Sequence, residues 1–181
     1  MAADASLFGN MQEAISKAHG CLSSVQNCCR LCSRLEDLRD FESKKETTKM
    51  ILMLSKYGSK SDFIAACGSA FDDAKKSLQS FSESVTELER IREEKTCKCS
   101  SCNGIGSFSK TEYLRERDTV EPILRSFPCT QCKGQGKLHM SEKSLEYLSM
   151  FLEVLRGLLS FLENLLTEVN KRLMSVRFEA R

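Results

Sequence analysis

The chain has 181 residues, 41% of them hydrophobic and 29% charged, with a formal net charge of +2. This composition fits one or two ordinary folded domains, and so small a net charge does not by itself argue for binding to nucleic acid or an anionic membrane, which rests on a concentrated basic surface. No uncharged apolar run reaches the roughly 18 residues needed to span a bilayer, and Met1 to Phe8 lacks the basic start and apolar core of a secretory signal.

The expectation is therefore an intracellular protein, cytoplasmic or nuclear, in which ten cysteines read as metal ligands or buried thiols rather than disulfides. The scarcity of proline, two in all, suits helices.

The first element has a countable period. Leu7, Met11, Ala14, Ala18, Cys21, Val25, Cys28, Cys32 and Leu35 follow at alternating steps of four and three, the a/d spacing of a heptad seam, which predicts a helix over about residues 5–38. Cys21, Cys28 and Cys32 lie in that seam. Free cysteine packs as a small apolar side chain, so the core reading is preferred; a second metal site, with His19 nearby, is the competing reading. Cys29 falls off the seam and is expected to be exposed.

A polar break around Asp40–Thr48 precedes Met50-Ile-Leu-Met-Leu54, read as a short core helix ending near Gly58, with a buried strand as the alternative. A second long helix is predicted from Ser61-Asp62, either of which can cap it, to about Lys95. Its seam runs Cys67, Phe71, Ala74, Leu78, Phe81, Val85 and Leu88, widened at the start by Phe63 and Ile64.

The stretch after it carries one pattern twice. Cys99-Ser-Ser-Cys102-Asn-Gly-Ile-Gly106 and Cys129-Thr-Gln-Cys132-Lys-Gly-Gln-Gly136 both read C-x-x-C-x-G-x-G. Two such pairs supply the four soft thiolates that a structural zinc takes in a tetrahedron, and the glycines stand where the backbone must curl around the sulfurs. The expected metal ligands are Cys99, Cys102, Cys129 and Cys132, holding one Zn2+, with Cys97 as an alternative to Cys99. Four thiolates leave no open position for water, so the zinc is read as structural and the protein as a non-enzyme. No nucleophile–base pair or phosphate loop is legible, and no thioredoxin-like βαβ pattern makes C-x-x-C a redox motif.

Between the two motifs, Ser107–Pro128 mixes apolar residues with charge, and the alternation over Ser107–Tyr113 with a turn signal at Glu121-Pro122 predicts a β-hairpin. Segment 96–140 holds seven Lys and Arg against four Asp and Glu, a mild basic bias. Phe108, Tyr113, Arg115 and Arg117 are the candidate partner-binding residues.

The repeated C-x-x-C-x-G-x-G resembles the cysteine-rich zinc domain of DnaJ-type cochaperones. The resemblance covers about a quarter of the 181 residues, with two repeats where that family carries four, enough for one zinc rather than two. The family's J-domain depends on a His-Pro-Asp tripeptide, and here His19 is followed by Gly20 and His139 by Met140. The resemblance thus implies a zinc hairpin and, as an option, peptide binding, without stimulation of a heat-shock ATPase.

The last element has the strongest pattern. Leu148, Leu152, Leu155, Leu159, Leu162, Leu166, Val169, Leu173 and Val176 mark one seam, with Phe151, Leu158 and Leu165 beside it, in a helix predicted over about residues 141–178.

Taken together, the fold class is mainly α: long antiparallel heptad helices forming a three- or four-helix bundle, with a zinc-bound β-hairpin between the last two long helices. The organisation is residues 1–95 as the first part of the bundle, 96–140 as the zinc hairpin, and 141–181 as the helix completing the bundle. The surplus of apolar stripe favours a homodimer. The leading function is a non-enzymatic zinc-binding factor for protein–protein interaction or assembly. The alternatives are a chaperone-like factor for unfolded or nascent clients and a nucleic-acid-binding zinc protein.

Overall fold

The computed structural model describes residues 2–116 and 119–179, and the side chains of 3–113 and 122–175. Four helices and four strands follow in order: α1 Ala2–Ser43, α2 Thr47–Leu54, α3 Lys60–Glu94, β1 Thr96–Lys98, β2 Ser107–Glu116, β3 Thr119–Pro128, β4 Lys137–His139 and α4 Glu142–Glu179. The fold is mainly α with a β insert between α3 and α4, as the heptad seams and the twin cysteine motifs predict. The chain divides into two compact units, one made of Met1–Glu13 and Thr86–Leu152, the other of Ala14–Val85 and Glu153–Arg181.

In the second unit the seams face inward. Ala14, Ala18, Cys21, Val25, Cys28, Cys32, Leu35 and Leu38 of α1 are buried, as are Phe63, Cys67, Ala74 and Phe81 of α3 and Leu155, Leu162, Leu166, Val169 and Leu173 of α4. Ser24 Oγ lies 3.2 Å from Ser77 Oγ, and Cys67 Sγ donates to Leu31 O at 3.8 Å. As the residue number rises in α1 it falls in α3, so these helices run antiparallel. Beside the buried α4 seam, Leu158 and Leu165 are only half-buried, and Val154 and Phe161 are exposed.

Four expectations need correction here. The hairpin does not turn at Glu121-Pro122: both lie inside β3, paired with Leu114 and Tyr113. The Met-rich piece is a helix, but none of its residues is buried, and Ile51 and Leu52 lie open to solvent. One short helix carrying apolar residues on every side cannot turn all of them toward a single neighbour. The cap of α3 is neither Ser61 nor Asp62: Ser59, just ahead of the helix start, accepts the Asp62 amide on its Oγ at 3.1 Å. Cys29 is half-buried rather than exposed.

In the first unit, α3 ends at Glu94 and Lys95 turns through a positive φ of 53°, which releases the chain into β1. The Met140 amide donates to Lys95 O at 3.0 Å, and β1 and β4 then pair antiparallel through Thr96↔His139, Cys97↔Leu138 and Lys98↔Lys137. The start of α1 docks on this stub: Ser6 Oγ donates to Lys98 O at 2.7 Å, and the buried Cys97 thiol points at Ala3 O, 3.5 Å away. Ser144 Oγ, in the first turn of α4, donates to Asp4 Oδ1 at 2.5 Å.

β2 and β3 form a second two-stranded sheet, ten residues a side, from Ser107↔Pro128 to Glu116↔Thr119. Partner numbers in both sheets add to the same total, 235, and the hydrogen-bonded pairs Cys99–Gly136 and Gly106–Cys129 share it. The insert is therefore one antiparallel hairpin in a single register, interrupted where each arm loops out into a cysteine knuckle.

Candidate metal centre

The two knuckles are built alike. In the first, the Gly104 amide donates to Cys99 O at 3.1 Å and the Ile105 amide to Cys102 O at 3.0 Å; in the second, Gly134 donates to Cys129 O at 3.1 Å and Gln135 to Cys132 O at 3.0 Å. Asn103 and Lys133 both have φ of 52°, followed by the positive-φ glycines of each motif. The crossing bonds match as well: the Cys99 amide donates to Gly136 O at 2.8 Å, and the Cys129 amide to Gly106 O at 2.7 Å. A local pseudo-two-fold thus relates residues 99–106 to 129–136, and the sulfurs converge on its axis.

The last glycine of each motif is required by contact as well as by φ. A Cβ on Gly106, at φ 85°, would lie 2.3 Å from Gly134 O, and one on Gly136 would lie 2.2 Å from Gly104 O. Only glycine lets the two backbones approach this closely.

The four sulfurs lie within 4.8 Å of one another, and all four cysteines are buried. Cys99 Sγ is 3.8 Å from Cys129 Sγ, and Cys102 Sγ is 3.7 Å from Cys132 Sγ. Bonds of about 2.3 Å from a tetrahedral zinc would place sulfurs about 3.8 Å apart, whereas a disulfide requires about 2.05 Å. The donor set therefore fits one tetrahedral metal ion bound by four thiolates.

Backbone amides are turned toward the sulfurs. The Gly106 amide points at Cys102 Sγ, 3.2 Å away, and the Gly136 amide at Cys132 Sγ, 3.1 Å away. Amides of Cys132 and Gln131 aimed at the Cys129 sulfur, together with the Cys132 and Cys99 thiols, lower its pKa to about 7. Such N–H···S bonds position the ligands.

Cys97 does not join the cluster. Its thiol is buried, its pKa is raised by that burial, and it faces backbone carbonyls of Ala3 and Leu138. Cys21, Cys28 and Cys32 form no second centre: among the described residues, the knuckle cysteines are the one group of three or more potential ligands gathered closely enough for an ion. Seven residues of helix carry Cys21 about 10 Å along the axis from Cys28, beyond the reach of one ion. These thiols instead fill the core of the second unit. Cys28 donates to Cys32, which with burial pushes its own pKa up, while accepting that bond brings the pKa of Cys32 down; burial pushes Cys67 up to about 11.

Of the residues expected to meet a partner, Phe108 and Tyr113 are both exposed on β2. Five positions apart on a strand, they stand on opposite faces of the hairpin and do not form one patch. Arg115 belongs to β2 by its backbone, while its side chain, and Arg117 altogether, lie outside the described residues. Ile123, Leu124 and Phe127 on β3, apolar residues of the same segment outside the expected partner set, are exposed as well. The pairing Phe108↔Phe127 marks one of them, and it is readable only once the register is known.

A cavity of about 520 Å³ also adjoins the first knuckle, lined by residues that include Ser6, Asn10, Glu13, Glu87, Lys98 and Asn103. Glu87 is engaged by Arg90 at 2.6 Å, which lowers its pKa. No sequence signal marks this cavity, because it exists only where residues 5–13 meet 87–103.

No family model matches the chain, and no curated protein or solved structure is detectably similar to it. The class that fold and site define is a helical protein with a hairpin whose four cysteines are gathered closely enough to hold one metal ion. No helix of the described residues is long and apolar enough to cross a membrane.

Proposed function

We propose that the protein is a non-enzymatic zinc protein in which one structural Zn2+, held by Cys99, Cys102, Cys129 and Cys132, rigidifies a hairpin that serves as a docking element for other proteins. The observation that carries this reading is the closed, buried set of four sulfurs at tetrahedral spacing. Zinc is preferred over iron because it is redox-inert and forms structural four-thiolate sites of this knuckle type. With four thiolates bound, the ion has no vacant position for a substrate or water, which argues against hydrolytic chemistry. The DnaJ-like motif pair supports the same metal and leaves binding of an extended, unfolded client as the second reading. The exposed Phe108, Tyr113, Leu124 and Phe127 favour that reading.

Elemental analysis of the purified chain tests the metal: one zinc per chain is expected. Binding of zinc to small finger peptides is worth about 10–16 kcal/mol in apparent free energy, so the hairpin's order depends on it. Cys102→Ser or Cys132→Ser should release the ion and disorder the hairpin while most of the helical circular dichroism persists. Stoichiometric zinc in a variant lacking all four cysteines would refute the site.

A further inference from the structure

The β2–β3 hairpin is a sheet of two strands, and a lone pair of strands is marginal in water because each strand leaves one edge of backbone donors and acceptors unused. The two edges differ. In an antiparallel ladder, residue pairs alternate between those that hydrogen-bond each other and those whose amides and carbonyls point outward. The Cys129 amide donates to Gly106 O, which makes Gly106–Cys129 a bonding pair; by alternation Phe108–Phe127, Lys110–Arg125 and Glu112–Ile123 bond as well. Ser107, Ser109, Thr111 and Tyr113 on β2, and Pro128, Ser126, Leu124 and Pro122 on β3, therefore direct their backbone groups outward.

Two of the five outward positions on β3, which include Val120, are proline, which has no amide to donate, so that edge is closed to a further strand. The β2 edge has a donor at every outward position, and among the described residues no third strand occupies it.

We propose that this β2 edge pairs antiparallel with the β2 edge of a second copy of the chain, about a two-fold axis at Thr111, making a four-stranded sheet. The proposal rests on the reading of the hairpin as a docking element; it does not depend on which metal is bound. The charges select this occupant. Outward positions are odd-numbered, so a two-fold centred on Thr111 is in register: Thr111 meets Thr111, and Ser109 meets Tyr113. Lys110 then stands directly opposite Glu112 of the second copy, and Glu112 opposite Lys110, in the closer, non-bonded pairs where opposite charges attract most.

Within its own hairpin Lys110 stands across from Arg125, a like charge, and Glu112 leans to Arg125 at 3.3 Å. A carboxylate from the second copy offsets that local excess of positive charge. Unlike an arbitrary client segment, the β2 sequence Ser-Phe-Ser-Lys-Thr-Glu-Tyr supplies its own complement.

The test is the molar mass of the full chain, by light scattering or sedimentation across a concentration range, in reducing buffer, with zinc content measured on the same samples. The expected result is twice the 20.4 kDa chain mass. Thr111→Pro removes an outward amide without touching a β2–β3 hydrogen bond, so it should return the mass to a single chain with the metal retained. Lys110→Glu should do the same, and adding Glu112→Lys to it should restore the dimer.

If Thr111→Pro also loses its metal, the charge variants decide alone. A dimer untouched by Lys110→Glu overturns the proposal, because assembly then runs through another surface. A wild-type chain that is monomeric at every concentration overturns it too, including one that captures an unfolded client at this edge. Loss of the zinc reading would appear separately, as missing metal in the wild type.

Discussion

Two clusters of cysteine in one chain sit in different backbone surroundings. Cys21, Cys28, Cys32 and Cys67 lie at heptad spacing inside helices whose amides are committed to the helical ladder, so burial dominates at Cys67 and holds it up at about 11. Cys99, Cys102, Cys129 and Cys132 lie just as deep, but on curled loops whose amides are free to turn toward sulfur, and Cys129 falls to about 7. All of these cysteines are shielded from solvent; at Cys129 it is the backbone amides turned toward sulfur that set the direction of the shift.

The sharpest way to break the contrast is to push the knuckle amides off their sulfurs. Gly106→Ala or Gly136→Ala places a Cβ against a backbone oxygen of the opposite knuckle at positive φ, where neither side can give way. Steric insertion and left-handed strain together cost on the order of 3 kcal/mol. Zinc affinity, measured against a competing chelator, should fall at least tenfold. Gly9→Ala, whose added Cβ meets nothing within 4 Å, should leave it unchanged.

A smaller effect comes from the other cluster. Cys67→Ser puts a hydroxyl where a thiol is buried, at a cost of about 1–3 kcal/mol, visible in the denaturant midpoint, while zinc stays at one per chain.

Cys67 and Cys129 should also respond to pH in opposite senses. Cys67 has its folded pKa raised from 9.0 to about 11, so its part of the helical core loses stability as pH rises through that window and is unaffected below it. Cys129 has its folded pKa lowered from 9.0 to about 7, so in metal-free protein its contribution is present above 9 and is lost as pH falls through 7. Alkylation of the metal-free chain near neutral pH, read by peptide mass mapping, should mark Cys129 well before Cys67.

The smallest change expected is at Glu94, whose carboxyl is held down at about 2 by Lys137 and then Arg90. These are exposed ion pairs at the base of the hairpin, of the kind that contributes little. Glu94→Gln should leave the metal content intact and barely move the unfolding midpoint.

Much of this was legible in the order of residues. Heptad steps are a local property, and they located α1, α3 and α4 to within a turn or so of their ends; the repeated C-x-x-C-x-G-x-G likewise identified four ligands, since spacing and glycine placement dictate how a loop wraps an ion. The Met50–Leu54 segment was harder, because an apolar run alone does not say whether a neighbour exists to cover it. The sequence does not single out Ser59 as a cap, because neighbouring hydroxyl and carboxylate residues compete there and only the helix start selects among them.

What the sequence alone determined was thus periodic or repeated: helical seams, a donor set, a hairpin between two motifs. The tertiary structure decided which cysteines share a centre, since Cys97 and Cys99 are close neighbours in the chain yet face a carbonyl and an ion site respectively. It decided that Phe108 and Tyr113 face apart. It also fixed the single register running through both sheets, which leaves the β3 edge closed by proline and the β2 edge open. Such outcomes depend on pairing between residues distant in the chain, and no local pattern encodes the partner.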